Sequence, residues 1–274
     1  MSDQVVSHRY GHVAVTWKES TIIWGGRSVK KFCDPSLVSC HLYGKWFNKK
    51  TTGDVPSHSF YALASVIDDT MVVMGGWPID LGPDYSGIYS LDLNTSVWTR
   101  LIEQGTKPPS THRGNSCLVY KGNIHIFGGF NLTSLKDFTT LYHYNITTNQ
   151  WGHIFTEGDI PTKRAYHKTI LFGDKVFLFG GCVGGHKIYN DLYILDMLVF
   201  RWKLVHGPLS GDDYNDVVPR GRWLHTMTCI NQSTAVVHGG FNKLAGPEEV
   251  ESAGLGDTWV LDLNKAIQLS MIHL

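Results

Sequence analysis

Five times along this chain an apolar run stops at a pair of glycines: Ile22-Ile23-Trp24-Gly25-Gly26, Val72-Val73-Met74-Gly75-Gly76, Ile124-His125-Ile126-Phe127-Gly128-Gly129, Phe177-Leu178-Phe179-Gly180-Gly181 and Val236-Val237-His238-Gly239-Gly240. Each run is long enough for a buried β-strand and too short for a helix, and the glycines end it. From second glycine to second glycine the steps are 50, 53, 52 and 59 residues. A period near 50 marks an array of like units that bury their faces against one another, so residues 1–274 are read as one domain.

Other landmarks keep the same register. A tryptophan follows each of the first four pairs by 20 to 22 residues, at Trp46, Trp98, Trp151 and Trp202. Six residues before three of these sit Asp92, Asn145 and Asp196, so the segments read strand, polar turn, strand. Each first strand opens with its own phrase, aligned from Arg9, Phe60, Arg113, Arg164 and Arg222, and a Gly-x-x-Pro linker recurs from Gly53, Gly105 and Gly158. Glycine and proline there predict a chain reversal with no continued ladder. Four antiparallel strands per unit, in repeats of about 9–52, 60–104, 113–157, 164–207 and 222–274, describe an all-β propeller. Gly25, Gly26, Gly75, Gly76, Gly128, Gly129, Gly180, Gly181, Gly239 and Gly240 are then framework positions, where close backbone approach and positive φ are expected. The four tryptophans are expected to pack between blades.

The glycine doublets, the Tyr193-Ile194-Leu195-Asp196 turn and the trailing tryptophans resemble kelch repeats from residue 9 to about 270. The phrase from Gly158 to Pro161, then Arg164 and His167, is similar to that of the stand-alone kelch domain-containing proteins, as are Arg9-Tyr10-Gly11-His12 and Trp24-Gly25-Gly26-Arg27. The fifth repeat is short, with Gln268 where a tryptophan is expected. Five repeats leave a small ring or a truncated member of a six- or seven-bladed family. The resemblance implies a substrate receptor that reads C-terminal degrons for a cullin-RING ubiquitin ligase, with elongin and cullin-2 as adaptors. A scaffold in trafficking, cytoskeletal or chromatin assembly is the alternative, and a kelch-type enzyme the third reading.

Composition narrows the partners. Lys and Arg total 24, as do Asp and Glu, so a formally neutral surface gives little pull toward nucleic acid or anionic membrane. Residues 1–6 lack the form of a signal peptide and no later run suits a membrane span, which predicts the cytosol or nucleus. The cysteines are scattered without a C-x-x-C pair, and the 14 histidines are dispersed, several in the repeated slot of His12, His167 and His225. No metal, cofactor or catalytic constellation is expected, nor is any nucleophile motif such as G-x-S-x-G present.

Two longer connections, around Gly211–Asp216 and Pro247–Glu251, should add an acidic margin to one rim. On that face the residues after the glycine pairs include Arg27, Trp77, Phe130 and Phe241, and Arg9, Arg113, Arg164, Arg222 and Trp223 open the first strands. With His186, Lys187 and Arg220 they form a candidate ligand-binding rim, suited to a short peptide or a terminal carboxylate. Arginines recurring from blade to blade also suit a framework role, holding loop carbonyls or a neighbouring aspartate.

Overall fold

A computed structural model describes residues 8–28, 33–34, 37–42, 45–57, 59–78, 87–108, 112–131, 136–137, 139–183, 187–207, 218–243 and 254–272. It is a five-bladed β-propeller, each blade an antiparallel meander with its first strand nearest the axis. Blade 1 contains Val13–Trp17, Ser20–Trp24, Leu37–Leu42 and Lys45–Lys50. Blade 2 contains Leu63–Ile67, Thr70–Met74, Ile88–Asp92 and Val97–Leu101, and blade 3 contains Ser116–Tyr120, Asn123–Phe127, Leu141–Asn145 and Gln150–Ile154. Blade 4 is built from Lys168–Phe172, Lys175–Phe179, Leu192–Asp196 and Arg201–His206. Among the described residues blade 5 has three strands, Thr226–Cys229, Thr234–His238 and Thr258–Asp262, and then helix α1, Leu263–Ile272, where the other blades place a fourth strand.

The second strand of blades 2, 3 and 4 lies between neighbours on both faces, which is why its sequence is a continuous apolar run and not an alternating one. Four clusters of buried side chains fill the successive junctions from blades 1 and 2 to blades 4 and 5. Within them Trp98, Trp151 and Trp202 lean on the preceding blade: Trp98 lies 5.5 Å from Trp24, and Trp202 lies 5.0 Å from Phe127. Trp46 is only half-buried. The junction of blades 5 and 1 contains no buried cluster among the described residues. Val260, on the outward face of blade 5, is 69% exposed.

The linkers differ from expectation. Thr52–Gly53, Gln104–Gly105 and Glu157–Gly158 each add a two-residue parallel strand to the outer edge of the following blade, beside Trp98, Trp151 and Trp202. Gly158 permits this with φ +82°, since a Cβ there would run into the Trp202 carbonyl. The linker therefore enters the ladder for two residues before its proline ends the pairing.

The third-to-fourth strand turns behave as read. Asp92 Oδ1 accepts from the Thr95 amide at 2.8 Å, Asn145 Oδ1 from Thr148 at 2.9 Å and Asp196 Oδ1 from Leu198 at 2.9 Å. In blade 1 Leu42 pairs directly with Lys45. In blade 5 the equivalent Asp262 accepts from the Lys265 amide at 2.9 Å and caps α1 instead.

Candidate functional site

Both glycines of every pair have positive φ, and this bend brings the next residue back against the phrase that precedes its own blade's first strand. The contacts are Tyr10 with Arg27, Phe60 with Trp77, Arg113 with Phe130, Ala165 with Cys182, and Trp223 with Phe241. A Cβ on Gly181 would lie 2.8 Å from the Ala165 carbonyl, so only glycine fits the bend. These pairings correct the sequence register by one residue in blades 2 and 3. Ser59 and His112, not Phe60 and Arg113, occupy the position of Arg9, Arg164 and Arg222. Arginine thus fills this slot in three blades rather than four, and Arg113 belongs one step later.

Two of the three slot arginines lie in the packed interior. Arg164 is fully buried, and all its donors are taken: Nη1 and Nη2 bind Asp191 Oδ1 and Oδ2 at 2.5 and 2.9 Å, Nη1 also binds the Gly180 carbonyl, and Nε and Nη2 bind the Thr162 carbonyl and hydroxyl. Tyr189 stacks under its guanidinium at 4.1 Å. Arg222 repeats the arrangement with both Asp257 oxygens at 2.8 Å and the Gly239 carbonyl at 3.0 Å. The Arg222 hydrogen bonds hold the Asp257 carboxyl down at about 2. Such a guanidinium is engaged by its own blade, and these two arginines take the framework role. Arg9 is half-buried and reaches the Gly25 carbonyl at 3.2 Å.

Two of the three repeated histidines are framework too, while His12 is exposed. His167 and His225 are buried, and His167 Nε2 lies 2.9 Å from Ser116 Oγ of the preceding blade. Burial pushes the His225 imidazole down to about 3 and His167 well below its ordinary range, so both stay neutral at pH 7.

What the corrected register brings together is a row of aromatic rings across the glycine-pair face. Tyr10 and Phe60 meet edge to face at 6.4 Å, and Phe60 and Tyr61 at 5.0 Å. Tyr61 and Tyr166 follow at 6.4 Å, Tyr166 and Trp223 at 5.5 Å, and Trp223 and Phe241 at 5.6 Å. Tyr61, Tyr166 and Leu224 sit at φ +58°, +58° and +56°, where Gly11 and Gly114 occupy the equivalent positions in blades 1 and 3. The Tyr61 amide donates to the Gly11 carbonyl at 2.6 Å and the Leu224 amide to the Tyr166 carbonyl at 3.1 Å, linking these residues from blade to blade. The Arg27 guanidinium carbon lies 5.8 Å from both the Tyr10 and Phe60 rings.

Of the remaining rim candidates, Phe130 is half-buried, Arg220 and Lys187 are exposed, and Lys187 Nζ sits 5.2 Å from the Tyr189 ring. Trp77 and Arg113 are placed by their main-chain pairing alone. His186, Gly211–Asp216 and Pro247–Glu251 lie outside the described residues. Tyr10, Tyr61 and Tyr166 were not singled out from sequence. Their signal, an aromatic in four of the five opening phrases, is hidden by the one-residue misalignment. Among the described residues no group of three His, Cys, Asp or Glu side chains could hold a metal ion, and no helix is long and apolar enough to cross a membrane.

Comparison with known proteins gives one family model, the KLHDC2/KLHL20/DRC7 Kelch-repeats domain, which matches residues 1–181 and 136–271. Kelch domain-containing protein 3 of Homo sapiens is 25% identical over 261 residues, covering 92% of this chain and 65% of that protein. Kelch domain-containing protein 2 of Bos taurus is 26% identical over 306 residues, covering 97% and 70%. Host cell factor 2 of Homo sapiens is 25% identical over 272 residues, covering 89% and 32%. The chain spans about two thirds of the kelch domain-containing relatives and about a third of host cell factor 2.

Proposed function

We propose, from the premise that this chain belongs to the kelch-repeat family, that its glycine-pair face binds a short extended segment of a partner protein. Kelch propellers are a protein-interaction fold, generally without enzymatic activity. The observation that carries the reading is the row from Tyr10 to Phe241 with Arg27 stacked at one end. Rigid amphipathic rings supply contact area at low entropic cost, and arginine recognises carboxylates through paired hydrogen bonds.

The finer form of the proposal is that the segment ends in a free carboxylate and that the protein is a substrate receptor of a cullin-RING ubiquitin ligase in the cytosol or nucleus. Arg27, set against the Tyr10 and Phe60 rings, supports the carboxylate, and the kelch domain-containing relatives support the receptor role. Arg27→Ala should weaken a free-carboxylate peptide, selected by display on the purified protein, by about 1.5–3 kcal/mol in calorimetry. Tyr166→Ala should weaken the same peptide and its C-terminal amide alike. An amide that binds as tightly as the acid rules out carboxylate reading and leaves peptide binding standing. Affinity capture without elongin and cullin-2 rules out the ligase role alone.

A further inference from the structure

The first strand of every blade opens beside the axis, at the end that meets the glycine-pair face. Its opening residues are Val13, Leu63, Ser116, Lys168 and Thr226, each paired with the residue before a glycine doublet, so the five share one level. Four are uncharged and one is a lysine. Lys168 is half-buried, two residues along the chain from Tyr166, whose ring meets that of Tyr61 at 6.4 Å.

The neighbouring junction shows what faces it. Between blades 3 and 4, Ser116 Oγ lies 2.9 Å from His167 Nε2. Between blades 4 and 5 the same two positions hold Lys168 and His225. The two imidazoles share one pose: His167 meets Phe127 at 5.7 Å and 74°, and His225 meets Phe179 at 5.5 Å and 76°. A Cβ on Gly128 would lie 2.7 Å from His167 Cε1, and one on Gly180 would lie 3.0 Å from His225 Cε1. His225 Nε2, which in this pose faces Lys168, is buried and has no hydrogen-bond partner among the described residues.

Elsewhere on the propeller lysines meet carboxylates, Lys175 with Asp196 and Lys18 with Asp69 at 3.0 Å. Lys168 meets none among the described residues, and no neighbour substitutes for one. From blade 3 it faces Cys117, whose Sγ lies 3.4 Å from Ser65 Oγ and whose thiol burial pushes up, so the sulfur stays protonated. His225 of blade 5 and His167 of its own blade are neutral. Arg222 and Arg164, the charged groups beside those imidazoles, are cations held by Asp257 and Asp191. Nothing in this ring offsets a positive charge, and burial therefore pushes the Lys168 amine down.

We propose that Lys168 is a covalent attachment site for small aldehydes, which its uncharged amine captures at the axial mouth as a Schiff base. The nitrogen lone pair forms the C–N bond, the carbonyl oxygen leaves as water, and the two N–H protons complete that water. No oxidant or reductant takes part. A desolvated lysine without an anion is the setting in which an amine becomes nucleophilic near neutral pH. The attachment does not depend on peptide binding at the rim.

The test treats the full chain with dilute propanal and cyanoborohydride, which reduces each Schiff base to a stable propyl amine, and maps the labelled lysines by mass spectrometry. At pH 7 Lys168 should react at least about tenfold faster than the exposed Lys187. The advantage should shrink as pH rises and vanish above about pH 10.4, where ordinary lysines are also uncharged. Concentrated urea should abolish it, because it belongs to the folded surroundings. Cys117→Asp, which sets a carboxylate against the ammonium, should bring Lys168 back toward the rate of Lys187, whereas Cys117→Ser should keep the advantage. Labelling of Lys168 no faster than Lys187 in the folded chain overturns the proposal. So does an advantage that survives urea, or one unchanged in Cys117→Asp protein with the circular dichroism of the parent.

Discussion

Arg164 and Arg27 have the same side chain and opposite prospects, and the difference lies in what surrounds each guanidinium. Arg164 has Asp191, two carbonyls and a hydroxyl around it and no exposed surface; Arg27 lies over two rings at the face. Removing one partner of a buried pair leaves the other charge desolvated, so Arg164→Ala should destabilise the fold by about 3–5 kcal/mol in denaturant unfolding. Arg164→Lys should recover little, because an ammonium cannot reproduce the planar fork that spans both Asp191 oxygens. Sequence spacing shows that Arg164 and Arg222 recur, and recurrence is compatible with either role. Only the position of Asp191 and Asp257, 27 and 35 residues downstream, distinguishes them. A separation that varies from blade to blade leaves no motif to read.

The element that the sequence predicts best is the second strand, because burial on both faces writes itself as an uninterrupted apolar run closed by two glycines. The turn before the fourth strand is nearly as legible, since Asp92, Asn145 and Asp196 bond to amides within three residues of themselves. The same local chemistry hides α1: Asp262 sits in the same place, yet its side chain caps a helix. The residues beyond the cap decide the outcome, since Lys265, Ala266 and Gln268 are good helix formers where blade 2 has Thr95, Ser96 and Trp98. Asp262→Ala should cost about 0.5–2 kcal/mol and lower the helical signal in circular dichroism, whereas Asp92→Ala should leave helix content unchanged. The aromatic row is illegible for a different reason. It depends on register, and one residue of slip in blades 2 and 3 separates Tyr10 from Phe60 and puts Arg113 in a slot that His112 fills.

At the scale of the whole molecule, packing is uneven around the axis. Blades 2, 3 and 4 are covered on both faces, while blades 1 and 5 each present one face without a buried cluster among the described residues. Amide exchange should therefore be slowest in Thr70–Met74, Asn123–Phe127 and Lys175–Phe179 and faster by at least about tenfold in Ser20–Trp24 and Thr234–His238; uniform protection across the five second strands would contradict this picture. The parallel linker strands have a consequence for how such a chain gains or loses units. A blade is finished by residues that precede its own first strand, since Glu157–Gly158 lies along Trp202. The portable cassette thus runs from linker to outer strand, as in residues 157–206, and not from the first strand to the fourth. A duplication with those limits inserts a blade that brings its own edge cover, whereas one cut at the sheet boundaries would strand a ladder at each new joint.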